Sequence, residues 1–246
     1  MSKCIIYDWD DTILFTYFIF NTEYGKMLES VRIQKNFKTI EDYLRLGIPT
    51  TEEQALYNKY IFSIDNVATV LLKKSKEIGE VFIVTNAMKG WVEESARFYL
   101  PNTSSELSGI RILSARTTFQ PKYPEFITEN FKLWKYMMFQ DIITNNKYKT
   151  IYSVGDSDAE FNAMMDIMKE NRTLNISIIK FKFEPPTIQY LKLEIEKCIN
   201  MVSNLKNNSI IYMENELNKP IEGFIQSGGN YLLQNYKKII WFNHCY

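Results

Sequence analysis

Cys4-Ile5-Ile6-Tyr7-Asp8-Trp9-Asp10-Asp11-Thr12 opens as a continuous apolar run and ends abruptly in acidic residues. Apolarity without alternation suits a strand covered on both faces, as in the middle of a parallel sheet. The same pattern recurs along the chain. Val81-Phe82-Ile83-Val84 ends at Thr85, Ile110-Arg111-Ile112-Leu113 at Ser114, and Thr150-Ile151-Tyr152-Ser153-Val154 at Gly155; Ile176 to Phe181 makes a fifth run.

Between these runs, apolar residues recur at three- and four-residue steps. Val67, Val70, Leu71 and Ile78 mark one helix, stopped by Gly79. Phe131, Trp134, Met138 and Ile142 mark a second, and Phe161, Met164, Met165 and Met168 a third. Ile188, Leu191, Ile195, Cys198, Val202 and Leu205 continue the pattern after Pro185-Pro186, which breaks the preceding strand. Alternation of this kind predicts an α/β, doubly wound parallel sheet, Rossmann-like in outline, with right-handed crossovers.

Two stretches fall outside the alternation. Residues 13–66 are far more than one crossover needs, and are expected to form a flap and a small helical cap beside the sheet. Residues 206–246 are expected to be an extension packed on a catalytic domain spanning 1–205.

Charge and composition narrow the class. Lys and Arg number 29 and so do Asp and Glu, for a net charge of zero. That balance argues against general nucleic-acid binding, which needs a basic surface, and leaves room for a local basic pocket. Cys4, Cys198 and Cys245 are far apart and lack metal-site spacing, which points to reduced thiols in a cytoplasmic protein. The apolar stretch Ile13 to Phe20 is too short to span a membrane and has no basic leader. With one histidine, His244, neither a histidine-based triad nor a zinc site is supported.

Ligands of open parallel sheets bind outside the carboxyl ends of the strands. The polar residues expected there are Asp8, Asp10, Asp11 and Thr12; Thr85 and Asn86; and Gly155, Asp156, Ser157, Asp158 and Glu160. So many carboxylates repel one another without a cation, and hard oxygen donors favour magnesium. Phosphoryl transfer uses this mixture: one carboxylate attacks phosphorus, and a second acid two residues on handles protons. A cation and a lysine offset the charge on the equatorial oxygens. The backbone around Trp9, Asp10 and Asn86 is expected to offer amides to a phosphate.

These residues resemble the motifs of the haloacid dehalogenase-like superfamily. Ile5 to Thr12 is similar to its first motif, Val81 to Asn86 to its second, and Gly155-Asp156-Ser157-Asp158-Ala159-Glu160 to its fourth. The resemblance implies Asp8 as nucleophile, Asp10 as general acid/base, and Thr85 and a lysine as phosphate ligands. It further implies a Mg2+ site from Asp8, Asp10, Asp156 and Glu160, the last acting through water, with Trp9, Thr12 and Asn86 on the substrate side. By that resemblance an acid at position 10 favours phosphatase or phosphomutase chemistry, since dehalogenating members lack one and cation pumps typically carry threonine. For the lysine, Lys135 is favoured over Lys122 and Lys132. The pattern Trp134-Lys135, with Gly90-Trp91-Val92-Glu93 and Ser114-Ala115-Arg116, resembles one branch of these phosphatase-like proteins.

Other readings of the same residues stay open. Ser157-Asp158-Ala159-Glu160 also fits a helix capping box, with Asp158 a first-turn acid. Arg116, Lys89 and Arg97 are substrate-side cations or structural ones, and Trp91 and Trp134 read as packing. The implied substrate is a phosphorylated small molecule or protein. A silent binding domain and a phosphotransferase or phosphomutase are the alternatives.

Overall fold

The computed structural model describes residues 2–181, 187–204 and 209–213. Six strands form one sheet: β1 (Lys3–Tyr7), β2 (Glu80–Thr85), β3 (Arg111–Ser114), β4 (Thr150–Gly155), β5 (Asn175–Lys180) and β6 (Ile210–Tyr212). Their order is β3-β2-β1-β4-β5-β6, and every pairing is parallel. The fold is therefore a doubly wound, Rossmann-like α/β sheet.

Ten helices are described: α1 (Thr16–Asn21), α2 (Glu23–Ile33), α3 (Ile40–Leu44), α4 (Glu52–Ile78), α5 (Trp91–Tyr99), α6 (Pro101–Glu106), α7 (Ala115–Phe119), α8 (Thr128–Asn145), α9 (Asp158–Glu170) and α10 (Ile188–Asn204). Side chains alternate across each strand, so the unbroken apolar runs feed two cores. Ile5, Tyr7, Ile83 and Val154 face α4 and α10. Cys4, Ile6, Phe82, Val84 and Ile151 face α8 and α9.

The expected insertion differs in its boundary. Residues 13–66 hold α1, α2, α3 and the first half of α4, which runs unbroken through position 66. A Thr51/Gln54 capping box starts α4 and no helix breaker follows before Gly79, so insertion and crossover share one helix. Its core face is Ile61, Ile64, Ala68, Leu71 and Leu72, whereas Val70 points to solvent. The sheet also runs past the expected limit at 205, because Ile210, Ile211 and Tyr212 pair with β5. Pro185-Pro186, Leu205, His244, Cys245 and the expected packing of residues 206–208 and 214–246 lie outside the described residues. Among the described residues, no helix is long and apolar enough to cross a membrane.

One buried carboxylate holds the short helix α6 in place. Leu100 gives α6 no side-chain cap. Asp65 of α4 accepts instead from Asn102 N at 3.0 Å, Thr103 N at 2.8 Å and Thr103 Oγ1 at 2.8 Å. Asp65→Ala leaves Asn102 N and the buried Thr103 N without this acceptor, at about 2–4 kcal/mol, while Thr103 Oγ1 keeps Asp65 O at 3.0 Å. The expected result is a melting temperature lower by roughly 5–12 °C, with Asp65→Asn losing less; an unchanged melting curve contradicts the capping role.

Candidate functional site

The strand order reverses at the centre of the sheet. From β1 the order runs through β2 to β3 on one side, and through β4 to β5 and β6 on the other. The crevice at the carboxyl ends of β1 and β4 is thus the switch point at which doubly wound sheets bind ligands. Tyr7 is level with both Ile83 and Val154, so Asp8, the next residue, emerges between the ends of β2 and β4. Its amide donates to Val154 O at 2.9 Å, extending the ladder by one step.

Beyond Asp8 the chain folds tightly back. Ile13 N and Leu14 N both donate to Trp9 O at 2.9 Å, and Asp11 N donates to Leu14 O at 2.7 Å. Asp11 takes a left-handed backbone, φ 52°, which aspartate tolerates better than most residues. Its Oδ1 accepts from Tyr17 N at 2.7 Å and ties the turn to α1. Thr12 is fully buried and donates to Asp156 Oδ1 at 3.1 Å, so its hydroxyl braces a carboxylate instead of facing a substrate.

Lys135 is the lysine that reaches Asp8. From the middle of α8 its Nζ donates to Asp8 Oδ1 at 2.7 Å and to Val84 O at 2.5 Å, with the side chain 1 % exposed. Lys132 instead pairs with Asp166 at 2.5 Å, and the exposed Lys122 lies over the Tyr123 ring. Trp9 N also donates to Asp8 Oδ1, at 2.8 Å. Both bonds fall on one oxygen, while Oδ2 has no such bond among the described residues.

The turn from β4 into α9 brings in two more acids. Ser157 and Glu160 form a reciprocal capping box, and Glu160 is buried. Gly155 makes room for it: a Cβ there would lie 2.5 Å from Glu160 Cγ and 2.6 Å from Oε1. One oxygen from each of Asp8, Asp156 and Glu160 lies within 4.8 Å of the others. Glu160 therefore caps a helix and joins the carboxylate cluster at once. Asp158 stays exposed and pairs with Lys180 at 2.8 Å, as a first-turn acid does.

Electrostatics in this cluster is strained. Burial pushes the Asp8 carboxyl up to about 7; Lys135 opposes this, while Glu160 and Asp10 add to it. Burial also raises Asp156 well above the ordinary carboxylate range, reinforced by Glu160, Asp11 and Asp8 and opposed by Lys180. Burial alone would lower Lys135, but Asp8, Glu160 and Asp156 outweigh it and raise the ammonium. Three carboxyl groups within reach of one another, one of them paired with a buried ammonium, are a donor set suited to a hard divalent cation.

Asp10 stands apart from that cluster, held by donors of its own. Its Oδ1 accepts from Thr16 Oγ1 at 2.7 Å and from Trp91 Nε1 at 2.8 Å, and its Oδ2 from Thr85 Oγ1 at 3.1 Å. Thr85 thus reaches the site through Asp10, and its Oγ1 also caps Ala87 N at 2.9 Å. Trp91 and Thr16 were missed by the sequence reading. An indole N–H turned in from solvent needs an acceptor, and the partly buried Trp91 finds it in Asp10. Thr16 carried no comparable signal, because its place depends on the tight loop.

Trp9, Asn86 and Arg116 have structural partners. Trp9 is buried with its indole donating to Ser95 Oγ at 3.0 Å, so only its backbone faces Asp8. Asn86 donates through Nδ2 to Phe131 O at 3.1 Å and docks the start of α8; its buried Oδ1 accepts no hydrogen bond among the described residues. Arg116 is buried, bonded to Gln120 and set over Phe126, while Lys89 and Arg97 are exposed. The chain matches no protein-family model, no curated protein and no solved structure.

The Gly155 cradle can be tested by filling it. Gly155→Ala should displace Glu160 and break the capping box at about 1–2 kcal/mol. A lower melting temperature is expected; a wild-type melting curve contradicts the close fit.

Proposed function

We propose that this protein is a magnesium-dependent phosphatase of the haloacid dehalogenase-like type, cleaving a phosphomonoester through an aspartyl-phosphate on Asp8. The observation that carries this reading is the buried Lys135–Asp8 contact beside Asp156 and Glu160, at the switch point of the sheet. A purely structural ion pair needs neither two further carboxylates nor a second acid held by three donors.

Asp8, Asp156 and Glu160 are the residues that would hold the cation, whose contribution when bound is to offset negative charge on the phosphoryl oxygens. In the first step a carboxylate oxygen of Asp8 forms a bond to phosphorus as the ester P–O bond breaks. The leaving alkoxide takes its proton from Asp10, delivered in protonated form. Lys135, already donating to Asp8, neutralises the charge gathering there. In the second step a water oxygen bonds to phosphorus, Asp10 takes up its proton, and the Asp8–phosphorus bond breaks. Inorganic phosphate leaves and both carboxyl groups are restored. Trp91, Thr16 and Thr85 set the position of Asp10.

The substrate is a phosphorylated small molecule or protein. Hydrolysis of a generic aryl phosphate should require magnesium and vanish in Asp8→Asn. Lys135→Ala should lower the rate by about 10²–10³, and Lys132→Ala should leave it near wild type. Retained turnover in Asp8→Asn, or equal effects of the two lysine changes, contradicts the assignment. Without substrate, magnesium at about 100 times its dissociation constant should add about 2.7 kcal/mol of stability. Asp156→Asn should remove most of that gain; a gain unaffected by Asp156→Asn places the metal elsewhere.

A further inference from the structure

A second polar feature lies outside the carboxylate cluster. Arg32, Lys35, Phe37, Lys38, Glu94, Arg97 and Phe98 line a cavity of about 280 Å³ between the end of α2, the link to α3 and the outer face of α5. Four cations and one acid surround it. Arg32 is engaged: it chelates Glu29 through Nε and Nη2, both at 2.7 Å, and reaches Glu94 at 3.3 Å. Among the described residues, Lys35, Lys38 and Arg97 pair with no carboxylate.

Helix dipoles account for part of this charge. Arg32 and Arg97 lie in the last turns of α2 and α5, where cations are favoured. Lys35 and Lys38 lie beyond those turns. Lys35 has a left-handed backbone, φ 56°, and Lys38 directly precedes the Thr39 cap of α3, where the helix field disfavours a cation. A positive excess in a concave, partly apolar recess raises the local concentration of anions. The buried Phe98 and half-buried Phe37 add apolar wall.

The recess is linked to the candidate acid. The Arg32 guanidinium sits 5.2 Å from the Trp91 ring centroid, and Trp91 donates to Asp10 at 2.8 Å. We infer that this recess is a binding site for a phosphate-class anion, held by Lys35, Lys38 and Arg97 and joined to Asp10 through Arg32 and Trp91. As a deepening of the phosphatase reading, the anion is a second phosphoryl group on the substrate. A separate phosphate-bearing effector presents the same chemistry, and the experiment has an arm for each.

The test uses the full chain with Asp8→Asn, so nothing turns over, and titrates inorganic pyrophosphate by calorimetry with and without Lys38→Ala/Arg97→Ala. Both substituted side chains are exposed, so the fold should survive, and a melting curve checks it. Binding weakened at least about tenfold by the double change, and largely restored by Lys38→Arg/Arg97→Lys, is the expected result. Equal affinity in the double variant overturns the site, whether or not the protein is a phosphatase.

The second arm retains Asp8 and compares an aryl monophosphate with an alkanediol bisphosphate in Lys38→Ala/Arg97→Ala. A raised KM for the bisphosphate alone supports a substrate subsite. A pyrophosphate-dependent change in aryl phosphate hydrolysis, lost in the variant, supports an effector. If both substrates respond like wild type and pyrophosphate changes nothing, the coupling to Asp10 is refuted.

Discussion

The ammonium of Lys135 buried against Asp8 is the interaction on which the rest of the site depends. Two charges removed from water repay their desolvation only with good geometry and further hydrogen bonds. Here Lys135 finds Asp8 Oδ1 and Val84 O, and Asp8 finds Lys135 and the Trp9 amide. That contact requires α8 to cross behind β2 at one height, and requires β1 to end between β2 and β4. The two cores that flank the sheet supply that placement. Removing Lys135 leaves Asp8 beside Asp156 and Glu160 without the ammonium that donates to it.

Around this pair the molecule separates two kinds of carboxylate. Asp8, Asp156 and Glu160 crowd together in a pocket that raises the carboxyls of Asp8 and Asp156. Asp10, two residues along, is outside that group and secured by an indole and two hydroxyls. Such a division suits chemistry in which one acid bonds to the reacting atom while another moves protons. The tight turn through Asp11 produces it, by reversing the chain so that Thr12 braces Asp156 and Thr16 braces Asp10.

Much of the frame was legible from local patterns. Unbroken apolar runs ending in Asp8, Thr85 and Gly155 mark strands buried on both faces, and each is a central strand of the sheet. Lys135 was preferred to Lys132 only through the resemblance of Trp134-Lys135 to one branch of the phosphatase-like proteins, and its burial beside Trp134 and Met138 is a feature of the folded α8. What stayed hidden depends on distant contacts. The three-residue strand β6 is too short for a periodic signal. The unbroken α4 needed its Thr51/Gln54 box to be read, and α5 lies in a segment where Trp91 looked like packing. The roles of Thr12 and Thr16 arise from a loop whose course no periodicity reports, and Glu160 fits only because Gly155 has no side chain.

The most direct test of the central claim is to look for the phosphoryl group on Asp8 itself. Asp10→Asn should still react with an aryl phosphate in the first step, because its leaving group needs little proton assistance, and should then stall before hydrolysis. Rapid mixing with magnesium, acid quench and peptide mass spectrometry should show a burst of aryl alcohol matching the enzyme and a hydroxylamine-sensitive phosphoryl adduct on Asp8. Wild-type turnover with no adduct on Asp8 in the stalled variant, or an adduct on another residue, contradicts the account.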